Sequence, residues 1–197
     1  MNNCSGTNLI GVVLAGGKSS RLGQDKAELL YQGQTMLQRS IDLLQSLCRQ
    51  VLVSGRNEPG LLVPAIKDDT PGLGPIGGIC TALRVYGGPL LVISCDLPFL
   101  NEKTLAELIK TRDSCKAGQA MTTYQQIETG FIEALVAIYE DKALSLLQEA
   151  ISAGCYKLSK AIPCSFRCHI PYSQKKARVF FNLNKPRDLV KLYEADD

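Results

Sequence analysis

The chain has 197 residues, 45% hydrophobic and 21% charged, with 22 Lys and Arg against 19 Asp and Glu for a formal net charge of +3. That length suits one substantial α/β core and is short for two independent domains, while so mild a positive balance gives no ground for nucleic acid or an anionic membrane surface as partner. No stretch approaches the ~18 uninterrupted apolar residues of a membrane span, and "MNNCSGTNLIGVVLAGG" lacks the basic start of a signal peptide, so the chain reads as cytoplasmic.

Taken in chain order, residues 1–8 are expected to form a flexible N-terminal segment, followed by "LIGVVLA" as a short strand buried on both faces. The polar loop "GGKSSRLGQDKAE" comes next. After a turn at Gly33, Thr35 caps a helix that places Leu37, Ile41, Leu44 and Cys48 on one face. "QVLVSG" reads as the second strand and "LVPAI" as a third. "DDTPGLGPIGGI" is a glycine and proline loop leading into the helical "ICTALRVY". "GPLLVISCDLPFL" is the most apolar strand, and Asn101 caps the helix "EKTLAELIKTR". Strands "KAGQAMTTY" and "IEALVAIY" follow, joined by the polar "QQIETG", and then a helix, "DKALSLLQEAI". "CHIPY" and "RVFFNLN" read as extended, and "KPRDLVKLYEA" closes the chain as a helix with Pro186 near its first turn. This alternation predicts a single α/β domain over residues 1–197, with a mostly parallel sheet and helices on both faces.

The eight cysteines are scattered, several within apolar periodic segments, and are expected to be free thiols. "CSFRCH" brings Cys164, Cys168 and His169 together, but a structural zinc site needs a fourth ligand and none is evident. His169 is the only histidine, which disfavours histidine acid–base chemistry.

Three stretches carry chemistry. The opening loop leaves the carboxyl end of the first strand, the edge where open α/β sheets bind ligands. Gly16 and Gly17 let backbone N–H groups approach a phosphate. Arg21 offers a planar fork and Lys26 a point charge to phosphate oxygens, and Asp25 stands beside Lys26 to orient it or tie the loop down. The loop has neither the P-loop nor the dinucleotide spacing. Asp96 ends the central strand at the same edge, where it either holds Mg²⁺ or caps the turn at Pro98. In "KDDTPGLGPIGG", Asp69 is placed to meet a ribose, or the glycines and prolines simply make turns.

Together these stretches resemble the molybdenum cofactor guanylyltransferases, which attach GMP to molybdopterin. The resemblance rests on "LAGGKSSRLGQDK", with Leu22 where the family has methionine, and on "GPIGG", "CDLPF" and "NLNKPRDL", spanning Ile10 to Leu192. It implies a Rossmann-like nucleotidyltransferase fold. By that resemblance Leu14, Ala15, Gly16 and Gly17 line the nucleotide, Lys26 contacts its phosphates, Asp69 meets the guanosine and Asp96 binds Mg²⁺ and the nucleotide. Arg21, Lys26 and Asp96 are then the catalytic set, with Asn182 and Asn184 on the pterin side. Either Arg56 or Asn57 occupies the position of a further family asparagine, and residues 154–177 match little. The implied substrates are GTP and molybdenum-molybdopterin, with transient contacts to cofactor-inserting proteins and apo-molybdoenzymes. A cytidylyltransferase using CTP and a non-catalytic nucleotide-binding regulatory subunit are the rival readings.

Overall fold

The computed structural model describes residues 7–16, 25–56 and 60–193. Seven strands form the main sheet: β1 (Thr7–Leu14), β4 (Cys48–Ser54), β5 (Ala65–Ile66), β6 (Leu90–Ser94), β7 (Met121–Gln126), β8 (Ile132–Tyr139) and β9 (Arg167–Tyr172). A two-residue pair, β2 (Leu30–Tyr31) and β3 (Gln34–Thr35), turns at Gly33 as expected. The sheet order is β5-β4-β1-β6-β8-β7-β9, and β8 alone runs against the others.

Helices α1 (Met36–Gln45) and α3 (Glu102–Ser114) cover one face, and α2 (Pro75–Tyr86), α4 (Ala143–Ser152) and α5 (Leu158–Ala161) cover the other. The sequence pattern explains this. Along β1, Leu9 and Val13 join the α1/α3 core while Ile10 and Val12 join the α2/α4 core, so an unbroken apolar run serves both layers. All five residues of β6 are buried for the same reason. A third cluster packs α6 (Pro186–Tyr193) near the β2–β3 pair through Leu29, Tyr31, Met36, Leu183 and Leu192.

Both expected caps are present. The Gln38 N–H donates to Thr35 Oγ1 at 3.1 Å and the Thr104 N–H to Asn101 Oδ1 at 3.0 Å. Among the described residues, no helix is long and apolar enough to cross a membrane.

Several boundaries differ from expectation. Strand β1 starts at Thr7, inside the segment expected to be flexible; residues 1–6 lie outside the described residues. Cys48 opens β4, paired with Thr7, rather than extending α1. Helix α2 begins at Pro75, whose fixed φ suits a first helical turn, so "PIGG" is helix and not loop. Arg178–Phe180 belong to a 3₁₀ segment, Gln174–Phe180, because Phe180 turns in against the rings of Tyr124 and Tyr172, 4.9 and 4.7 Å away.

The cysteine expectation also needs correction. Cys115, at the end of α3, lies over β9 with its Cα 6.3 Å from that of Cys168, and the two form a disulfide. Cys168 is thereby removed from any zinc set with Cys164 and His169. Cys48, Cys80, Cys95, Cys155 and Cys164 are free. Burial pushes the thiols of Cys48 and Cys95 up to about 12, so they behave as apolar core groups.

Candidate active site

Strand register assembles the site. Leu14 pairs with Ser54 on one side and Ser94 on the other, so the loops after β1, β4 and β6 leave the sheet side by side at its carboxyl edge. At this edge the chains run very close. Gly55 has φ +87°, and a Cβ there would stand 2.6 Å from the Gly16 nitrogen. Two glycines therefore let the first and second loops touch.

Between these loops and the start of α2 lies a cavity of about 760 Å³, lined by Leu14, Gly16, Ser54, Arg56, Asp68 and Pro75 among others. This volume suits a nucleotide. Ala15 differs from its neighbours: its N–H donates to Ser54 O at 2.9 Å, extending the β1–β4 ladder, and its side chain packs into the core.

The acidic pair after β5 divides its work. Asp68 lines the cavity and accepts a hydrogen bond from Ser54 Oγ at 3.2 Å. Burial raises its carboxyl above the usual range, the Ser54 hydroxyl opposes the rise, and the Asp69 charge adds to it. Gly78 of α2 lets this pair fit, since a Cβ there would press on Ser54 Oγ and come within 3.3 Å of Asp68 Oδ1. Asp69 is turned outward, where the Arg84 guanidinium forks onto it at 2.8 Å (Nε to Oδ2) and 2.7 Å (Nη2 to Oδ1). The cavity carboxylate is thus Asp68, the neighbour of the expected residue. Two-residue alternation carried it in the sequence: Ile66 faces the α2 layer, and Asp68 follows two positions later.

On the other side of the edge, Lys26 Nζ meets Asp96 Oδ2 at 3.0 Å and Asn184 Oδ1 at 2.6 Å. Ser94 Oγ donates to Asp96 Oδ1 at 2.7 Å. The Leu183 N–H donates to Asp96 O at 2.9 Å, which pins the segment carrying both asparagines against the end of β6. Asp188 Oδ2 accepts from the N–H groups of Asn184 and Lys185 at 2.9 and 2.8 Å, fixing Asn184 from behind. Asn182 Oδ1 is buried with no hydrogen-bond partner among the described residues. Gly17 and Arg21 lie outside the described residues. The resemblance put Asn184 and Lys26 in one site, but their direct contact, across 158 positions, has no local signature.

Two oxygens, Asp96 Oδ2 and Asn184 Oδ1, already converge on one positive charge. That donor chemistry fits Mg²⁺, which takes oxygen ligands and commonly only one or two carboxylates from protein. Among the described residues no group of three or more His, Cys, Asp or Glu side chains is gathered as a metal set.

The cavity and the Lys26–Asp96 pair lie along the same carboxyl edge of a largely parallel sheet, the place where open α/β sheets bind nucleotides. Comparison with known proteins agrees. The family model described as MobA-like NTP transferase domain matches residues 11–163, and the chain belongs to that family. The "Molybdenum cofactor biosynthesis bifunctional protein" of Synechocystis sp. is 39% identical over 158 residues, covering 77% of this chain and 45% of that protein. The chain thus spans under half the length of that relative. It covers 93% of the "Probable molybdenum cofactor guanylyltransferase" of Chloroflexus aggregans, 33% identical over 94% of this chain. The crystal structure of "Molybdopterin-guanine dinucleotide biosynthesis protein A" from Archaeoglobus fulgidus has a TM-score of 0.76 at 26% identity, covering 95% of this chain and 98% of that one.

Proposed function

We propose that this protein transfers GMP from GTP to molybdenum-molybdopterin, forming the molybdopterin guanine dinucleotide cofactor and pyrophosphate. The observation that carries this reading is the Lys26–Asp96–Asn184 cluster on the same sheet edge as the cavity that holds Asp68. The names of the full-length relatives support the same reaction.

The residues divide into base and phosphate groups. A carboxylate accepts two hydrogen bonds side by side, and guanine presents adjacent N1–H and N2–H donors, so Asp68 reads guanine. Cytosine has no ring N–H beside its amine and cannot match it. The backbone at Leu14 and Gly16 lies along the nucleotide, and Lys26 meets its phosphates. By the family resemblance, Asn182 and Asn184 stand on the pterin side.

An oxygen of the molybdopterin phosphate attacks the α-phosphorus of GTP. The new P–O bond forms as the bond to the β-phosphate oxygen breaks, and pyrophosphate leaves. That nucleophile is already anionic, so the chain need not supply a strong base. Lys26 neutralises charge on the transferring phosphate, and catalysis rests on holding the reactants in line. Mg²⁺, held by Asp96, would supply further neutralisation of the triphosphate. Delivery of the product to cofactor-inserting proteins and apo-molybdoenzymes follows from this reading.

The direct test is pyrophosphate release by purified protein with Mg²⁺ and molybdopterin, offering GTP and CTP separately. Release with GTP alone is expected. Release with CTP alone would keep the chemistry and overturn the base; silence with both, from folded protein, would leave a nucleotide-binding regulatory subunit.

The two acidic neighbours give a sharper test. Asp68→Asn is expected to raise KM for GTP about 10–100-fold, the worth of a hydrogen bond to a charged group. Asp69→Asn, which breaks only the exposed pair with Arg84, leaves KM unchanged. The reverse ranking in steady-state kinetics would return the base contact to Asp69.

A further inference from the structure

Arg56 lines the nucleotide cavity, and its guanidinium is held by two carboxylates. Its Nη2 lies 2.8 Å from Asp25 Oδ2 and 3.2 Å from Glu28 Oε1. The Arg56 side chain is only 9% exposed, whereas those of Asp25 and Glu28 are 42% and 68% exposed. A buried guanidinium flanked by two carboxylates is a strut, since withdrawing either partner would strand charge in a poorly solvated place.

Asp25 is bound at both oxygens. Oδ2 meets Arg56, and Oδ1 accepts the Ala27 N–H at 3.0 Å, capping the 3₁₀ turn Lys26–Glu28. Ala27, the middle residue of that turn, is buried in the core and anchors it from below. Lys26 is its first residue and reaches across to Asp96 and Asn184. Polar contacts thus tie Arg56, just past the end of β4, to Asp25, and Asp25 in turn caps the short turn that begins with Lys26.

Resting on the functional reading above, we infer that Arg56 is a positioning residue: through Asp25 it sets the 3₁₀ turn that aims Lys26 Nζ at the transferring phosphate. Arginine suits the task because it keeps its charge when buried, and one of its nitrogens, Nη2, reaches both carboxylates. Small errors in aim are costly in such sites; about 1 Å can cost about 10²-fold in rate. The effect therefore falls on kcat more than on GTP binding.

A double-mutant cycle on pyrophosphate release tests this, in wild-type and Lys26→Gln backgrounds. In the wild-type background, Arg56→Gln lowers kcat about 10-fold or more, changes KM for GTP less than about 3-fold, and Arg56→Lys recovers part of the loss. In the Lys26→Gln background, Arg56→Gln costs less than about 2-fold, because the group it aims is gone. Asp25→Asn repeats the pattern, and the Asp25→Asn/Arg56→Gln pair is no slower than either single variant. Equal losses in both backgrounds would mean that Arg56 only supports the fold. A rise in KM alone would mean that it touches the nucleotide. Either result overturns the inference. If Arg56→Gln does not fold, Arg56→Lys is read in the same cycle. Wild-type protein that releases no pyrophosphate would instead count against the proposed reaction.

Discussion

Asp96→Asn is expected to lower kcat for pyrophosphate release about 10²–10³-fold, the usual loss when a group stabilising transition-state charge is removed. The substitution keeps the shape and the acceptor facing Ser94 Oγ, whose hydrogen bond to Oδ1 is 2.7 Å. The backbone carbonyl that receives the Leu183 N–H is untouched, so the segment bearing both asparagines stays in place. What disappears is the negative charge opposite Lys26, 3.0 Å from its Nζ. An amide oxygen is a weaker ligand for a hard cation, so the Mg²⁺ concentration for half-maximal rate should rise together with the loss of kcat. Steady-state rates across a Mg²⁺ titration, with a thermal midpoint measured in parallel, separate this from unfolding. A variant with wild-type kcat and Mg²⁺ response would remove Asp96 from the mechanism, and with it the argument that the carboxyl edge of β6 is a phosphate site.

The parts of the fold that could be read from sequence are those with local causes. Thr35 and Asn101 announce their helices because a side-chain oxygen three residues before an N–H is a short-range contact. Strand β6 is visible because burial on both faces leaves no polar position in "LLVI". The glycine loop and Asp96 were visible as chemistry because glycines and charges directly after buried strands have no role in the core. Features with long-range causes were hidden. The Cys115–Cys168 disulfide depends on where β9 docks, because 53 positions separate the two cysteines. The close approach of Ser54 and Asp68 to Gly78 of α2 joins three separate segments, which no local pattern encodes. The outward turn of Asp69 onto Arg84 was hidden because the two residues lie 15 positions apart. Arg56 could be placed near the site but not given a role, because its partners Asp25 and Glu28 lie on the far side of β1's loop in sequence.

Gly55→Ala should be the most damaging single methyl group at the site, for two separable reasons. The first is conformational: φ at Gly55 is +87°, and an L-residue in the left-handed region costs about 1–2 kcal/mol. The second is contact, since the new Cβ would sit 2.6 Å from the Gly16 nitrogen, against backbone and not against a side chain that could rotate away. Relief requires the ends of β1 and β4 to part, against the Ala15 N–H bond to Ser54 O at 2.9 Å. Forced backbone shifts of this kind cost about 1–3 kcal/mol more. Gly33→Ala isolates the first term, because Gly33 has φ +80° in the β2–β3 turn and nothing within 4 Å of a built Cβ. Chemical denaturation should therefore show Gly33→Ala destabilised by the conformational cost alone and Gly55→Ala by clearly more. Gly16 lines the nucleotide cavity, so Gly55→Ala should also raise KM for GTP, while Gly33→Ala leaves it unchanged. Equal stability losses and unchanged KM in both variants would mean that the two loops separate freely, and their close approach would then have no part in shaping the cavity.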